Sequence, residues 1–346
     1  MAQIRKKPKA LNSQDYWRLR EENARKKAIQ DDYVRSLEIN SVFARMQDEC
    51  TKQIESFYQK YATAEGISYA DAVQRVSQLD IDAYERKAKY YVENRHNAGI
   101  AFSEQANAEM RLYNATMKIN RLEMIKAQIG LELVNGFDEL DTYFEDELTD
   151  AAAEEYTRLS GILGETVNGN AMTASVLPDA SYKQASFSTQ ELADIVGRTE
   201  YDTFSTIIWR DYAELKLTLD TQLARALVNG TSGQTLADEL AKAFRVERWK
   251  AQRLIITETA RVRTEVHREQ YERNGIKQYE YMALGANPCA DCADLDGQKF
   301  DVKDMKIGFN APPMHPYCHC ATGEVSNDTN YDAWMAAMRA EKGIEE

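Results

Sequence analysis

Between Pro8 and Pro288 the chain carries a single proline, Pro178, whereas Pro288, Pro312, Pro313 and Pro316 crowd into one short stretch. Proline removes a backbone donor and clashes with the preceding helical turn. Its scarcity therefore permits helices of many turns, and its clustering enforces turns. Cysteine divides the chain in the same way. Cys50 stands alone in a helical pattern, while Cys289, Cys292, Cys318 and Cys320 fall close together. The expected fold is mainly α: a long helical N-terminal body, then a small α+β C-terminal domain ending in a compact, turn-rich module.

Charge and hydropathy exclude several classes. With 43 basic and 56 acidic residues the net charge is −13, which argues against a general coat for DNA, since such a coat must neutralise phosphates. Mean hydropathy is −0.59, and no apolar run reaches the 18 or so residues of a membrane span. The first ten residues are basic without an apolar segment behind them, so no secretory signal is expected. Thiols in such a chain stay reduced, which favours metal over disulfide.

Hydrophobic spacing divides the chain further. Residues 1–30 hold nine bases and three acids, and 1–11 read as a basic arm. From about Asn12 to Ala62, apolar residues at Ile39, Phe43, Met46, Cys50, Ile54, Phe57 and Tyr61 repeat at three- and four-residue steps, one face of a helix. On that stripe Cys50 reads as a small buried hydrophobe. Gly66-Ile67-Ser68 interrupts, Ser68 and Asp71 offer a cap, and helix is expected to run on to about Leu133. Residues 138–155 contain nine acids and no base, either a solvated face or an acidic patch for a partner. Gly, Asn, Ser, Thr and Ala with Pro178 mark 164–186 as a linker, separating 1–163 from a second domain at 187–325, with a tail at 326–346.

In that second domain Ser188 and Glu191 form a capping box. Asn229-Gly230 ends one helix, Thr231 or Ser232 caps the next, and a further helix covers about Glu247–Arg273 up to Asn274-Gly275. Ile276–Leu284 alternates and reads as a strand, with Lys299–Val302 returning after the Asp296-Gly297 turn. Trp334 and Met335 point to a short terminal helix in the tail. The four tryptophans are candidate interface anchors, with packing in the core the alternative.

The chemistry lies in the module at 288–320. Cys289-x-x-Cys292 places two thiolates on one turn, and His315-Pro-Tyr-Cys-His-Cys320 supplies a second close pair. Such spacing suits a tetrahedral Zn²⁺, and four protein ligands leave no open position for catalysis. The candidate ligands are Cys289, Cys292, His315, Cys318 and Cys320, with the choice of four left open. His319 is expected to point away from them. The expectation is thus a zinc-knuckle-like module holding a structural Zn²⁺. A rival reading takes His267-x-Glu269 with Cys289 and Cys292 as a zinc-deaminase signature. A nuclease using His315 or His319 as base is another. No nucleophile–base set and no phosphate-binding glycine loop is evident, so no enzyme activity and no small-molecule substrate are expected.

From about residue 204 to 325 the chain resembles the phage Mu protein F-like family, the minor head or head morphogenesis proteins of tailed bacteriophages. The resemblance is carried by Ile208-Trp209-Arg210-Asp211, Leu227-Val-Asn-Gly230, Leu240-Ala-Lys-Ala-Phe244, Arg253–Val262 and Asn274-Gly275-Ile276. The ending is its most specific part: Cys289-x-x-Cys292, Leu295-Asp-Gly297, Phe300, Gly308-x-Asn310 and Pro312-Pro-x-His-Pro-x-Cys-x-Cys320. The chain departs from the family pattern at Ile256-Thr257-Glu258, where Arg-Thr-Glu is usual, at Gly285, where an acid is usual, and at His319, where Arg is usual. The resemblance implies a low-copy structural protein inside the capsid, made in the host cytoplasm. Its implied partners are the portal and other capsid proteins, with a role in assembly, DNA packaging or ejection. The basic arm could add a contact to packaged DNA.

Overall fold

The computed structural model describes residues 13–61, 78–116, 120–167, 188–199 and 202–325. The expected arm, the break at Gly66–Ser68, residues 168–186 of the expected linker and the tail lie outside them. Among the described residues the chain is mainly helical, with a small C-terminal sheet. None of these helices is long and apolar enough to cross a membrane.

The helices are α1 (Ser13–Tyr61), α2 (Gln78–Asn97), α3 (Glu104–Thr116), α4 (Arg121–Val167), α5 (Thr189–Gly197), α6 (Phe204–Asn229) and α7 (Gly233–Arg273). Strand β1 (Gln278–Met282), the short helix α8 (Ala290–Leu295), β2 (Lys299–Asp301), a 3-10 turn (Val302–Asp304) and β3 (Ala321–Glu324) complete the order. Two expectations need correction. Helix does not run unbroken to Leu133. It stops before Gly99, whose φ of +76° suits glycine, restarts at α3, where the Ser103 hydroxyl accepts from the Ala106 N–H, and again at α4, where the Asn120 side chain accepts from the Glu123 N–H. The pair of helices expected between Ser232 and Arg273 is instead one, capped at Ser232, because no glycine or proline interrupts 234–273.

The chain forms two compact units that are not successive blocks of sequence. One gathers the described residues within 34–145 and 199–254, the other those within 1–33, 146–198 and 255–346. In the first, the α1 stripe from Ile39 to Phe57 is buried. Its Phe43 meets Phe137 edge-on at 5.9 Å, and Phe137 meets Tyr212 at 5.6 Å. Two glycines of α4 permit close approach: a Cβ on Gly130 would lie 2.4 Å from the Tyr113 ring, and one on Gly136 2.0 Å from the Met46 sulfur. Cys50 is fully buried, and burial pushes its thiol well above the usual range, as expected of a core residue.

The other unit holds the sheet, ordered β2-β1-β3 and antiparallel throughout. β1 is the central strand. Tyr279 pairs with Phe300 on one side and with Glu324 on the other. Trp17, Leu159, Tyr271, Tyr279, Met282, Val302 and Met305 form its main core. Trp17 lies against Gly323, where a Cβ would come within 3.2 Å of it. Of the other tryptophans, Trp209 donates to Asp141 at 3.0 Å. Trp249 is half exposed with Arg253 over its ring, and Trp334 lies outside the described residues.

The acidic run belongs to α4 and is largely partnered. Asp138 pairs with Arg95 and Glu139 with Arg45. Glu154 takes Lys27 at 2.7 Å. Glu155 lies beside Arg158 and His267, which outweigh its burial and hold its carboxyl well below the usual range.

Candidate metal centre

The module is built on the sheet. After β1 the chain reverses through Gly285, at φ +93°, and enters α8 with Cys289 at its N-cap. The Cys289 sulfur accepts from the Cys292 N–H at 3.4 Å. That bond places both thiols on one turn and supplies a donor to a thiolate. The loop after β2 is fixed by Asn310, whose side chain accepts from the Lys306 N–H at 2.7 Å and donates to the Asp304 carbonyl at 2.9 Å. It delivers His315, Cys318 and Cys320 just before β3.

All five candidate ligands converge. Cys289, Cys292 and His315 form one group of donor atoms within 4.8 Å of one another, and Cys292, Cys318 and Cys320 form another. Cys292 belongs to both. Its sulfur lies 3.6 Å from His315 Nε2 and 3.9 Å from the Cys318 sulfur. Tetrahedral bonds of about 2.3 Å place sulfurs about 3.8 Å apart, so the donor spacing fits zinc. His315 Nδ1 lies 2.8 Å from the Pro316 carbonyl. A carbonyl only accepts, so Nδ1 carries the proton and Nε2 offers its lone pair toward Cys292.

The surroundings separate the thiols electrostatically. The Cys318 thiol donates toward Cys320 and holds it down to about 5, helped by a backbone hydrogen bond from Leu284 and opposed by burial. Burial pushes Cys292 up to about 12. Cys318 is pushed well up by its bond to Cys320 and by burial. One thiolate thus forms readily and resists a second beside it, the balance a dication reverses. The Tyr281 hydroxyl donates to Cys292 at 3.3 Å, and Tyr281, Ala283, Cys292 and Cys318 form a small core with Leu295, Phe300 and Met314 around them.

The deaminase set is not brought together. His267 uses both ring nitrogens elsewhere: Nε2 lies 2.7 Å from Glu155, and Nδ1 3.0 Å from the Thr322 hydroxyl. Glu269 lies 3.0 Å from Arg273 and 3.5 Å from Arg198. Glu21, Glu155 and His267 also form a close group, but the Arg158 guanidinium already bridges both carboxylates. His319 Nε2 faces Asp32 at 3.5 Å, away from the thiols as its position between Cys318 and Cys320 implied. It lines a cavity of about 400 Å³ together with Arg25, Arg158, Arg263, His267 and Cys320.

Sequence reasoning missed the groups that hold this module to α1. Asp296 Oδ1 accepts from the Ala283 N–H and from Arg18 Nη2, each at 2.8 Å. Glu22 accepts from the Gly285 N–H at 2.7 Å. The contacts to Arg18 and Glu22, across 278 and 263 residues, leave no local signal.

Among the described residues, the fold and site define a helical chain with a small sheet and a cysteine–histidine cluster. Residues 218–323 match the family described as Phage Mu protein F like protein, a similarity that spans the whole cluster. No curated protein and no solved structure matches the chain.

Proposed function

We propose that this is a minor capsid, or head morphogenesis, protein of a tailed bacteriophage. In this reading it sits at low copy inside the head, associates with the portal and other capsid proteins, and acts in assembly, DNA packaging or ejection. The domain at 187–325 is its head morphogenesis domain, and the basic arm is a contact for packaged DNA. One observation carries the reading: the family match at 218–323 takes in the whole cysteine cluster together with residues that frame it. Asp296, Phe300 and Asn310 build the frame of the cysteine cluster. Four of Cys289, Cys292, His315, Cys318 and Cys320 hold a structural Zn²⁺, which cross-links the turn after β1 to the segment before β3.

Quantitative mass spectrometry of purified virions and procapsids tests the assignment. A few copies per particle, in fixed ratio to the portal, is the expected result. Absence from both particles overturns it.

A further inference from the structure

The cysteine cluster and the N-terminal stretch of α1 grip the same three residues from opposite sides. Ala283, Leu284 and Gly285 follow β1 directly. Toward the cluster, the Leu284 backbone bonds the Cys320 sulfur, and Ala283 packs with Cys292 and Cys318. Toward α1, the Ala283 carbonyl accepts from Arg18 Nη1 at 3.1 Å, and the Gly285 N–H donates to Glu22 at 2.7 Å. The Arg25 guanidinium lies against Gly285, where a Cβ would approach it to 3.3 Å. Asp296, at the end of α8, joins both sides by accepting from Ala283 and from Arg18. Beyond the cluster, His319 faces Asp32 of the same helix.

These contacts share a weakness. Most are polar, part-buried and made to loop backbone, so each contributes little unless the loop is held still. Residues 286–288 and 313–317 have no strand or helix of their own to hold them. Their order depends on whatever joins the cysteines.

We infer that metal binding at the cysteine cluster latches the N-terminal stretch of α1: the loaded cluster fixes residues 283–285 and 296, and these hold Arg18, Glu22 and Arg25. This rests on the zinc reading above. Trp17, buried in the sheet core, and Glu21, paired with Arg158 at 2.9 Å, hold the same stretch independently of the cluster, so losing the metal removes one of two attachments and raises the opening of residues 17–33, while 34–60, packed through the stripe of Ile39 to Phe57, stay protected. The cluster then sets how readily this stretch opens to a partner.

Hydrogen exchange of the full chain tests this, with zinc content measured on the same samples. Stripping zinc with a chelator is expected to raise amide exchange across 17–33 by about tenfold or more and to leave 34–60 within about twofold; re-adding Zn²⁺ restores protection. A second arm uses Arg18→Ala with Glu22→Gln, outside the cluster. This variant is expected to keep zinc and still expose 17–33. Zinc loss with unchanged protection of 17–33 overturns the latch and leaves the metal reading standing. A chain that never takes up zinc overturns both, and the metal assay tells the two failures apart.

Discussion

The Cys292 and Cys318 sulfurs lie 3.9 Å apart across 26 residues of sequence, in contact with neither disulfide nor solvent. Two buried thiols at that distance, one with a Tyr281 hydroxyl donated to it, are close enough to share the Zn²⁺ proposed above. Substituting Cys318 by Ser is therefore expected to reduce zinc content to near zero. It should lower the melting temperature of the module without unfolding the helical unit of residues 34–145 and 199–254. Since binding energy at such a site is folding energy, scanning calorimetry with metal analysis checks it. His267→Ala, by contrast, is expected to keep zinc, because its ring serves Glu155 and Thr322.

Gly130 sits in the middle of α4, where alanine is normally better by about 1 kcal/mol. Here the Tyr113 ring occupies the space of the missing side chain, at 2.4 Å, and its hydroxyl is bonded to Tyr212. Overpacking of that kind costs about 1–3 kcal/mol. Gly130→Ala is expected to destabilise rather than stabilise, by about 1 kcal/mol net after the helix gain, read from urea midpoints.

Arg261 closes the C-terminal end of α5. It donates to the Val196 carbonyl at 2.6 Å and to the Arg198 carbonyl at 2.5 Å, while Glu258 holds its Nε at 2.7 Å. The residue is buried. Arg261→Met keeps much of the stem packing but leaves those carbonyls without their donor, a loss of about 1–3 kcal/mol. Exchange at 189–197 is expected to rise, and Arg261→Lys is expected to restore only part of the protection, because an ammonium cannot reproduce the guanidinium fork.

Glu155 fixes an acid limb. Burial raises its carboxyl, but Arg158 and His267 outweigh burial and hold it well below the ordinary 4.5. A depressed carboxylate contributes stability that is fully present above the unfolded value and is lost as pH falls through the folded one. Stability is thus expected to fall as pH drops below about 4.5. Glu155→Gln is expected to be less stable at pH 7 and to show a shallower acid limb, measured by denaturant titration across pH. An acid limb as steep as in the unsubstituted chain contradicts the assignment.

Much of the helical architecture was legible because it is local. The stripe from Ile39 to Phe57, the Ser188–Glu191 box and the Gly230 stop each announce themselves within a few residues, and each is present. The break between α2 and α3 was not, since one glycine within a polar stretch is a weak signal until its φ is known. Strand β3 was also missed: Ala321-Thr-Gly-Glu324 has poor strand propensity and exists because β1 offers it an edge and Trp17 needs the space at Gly323. At the candidate metal centre the five residues that the structure brings into two adjoining groups were readable as candidates from their spacing. The grip of Arg18 and Glu22 on residues 283–296 was not, because it joins the two ends of the chain.

Zinc stoichiometry with sulfur-edge and zinc-edge absorption on the purified full chain tests the central claim most directly. The account predicts one Zn²⁺ per chain in a closed four-ligand shell dominated by sulfur. A chain that folds with Cys289, Cys292, Cys318 and Cys320 all titratable by thiol reagent and no bound metal would contradict it.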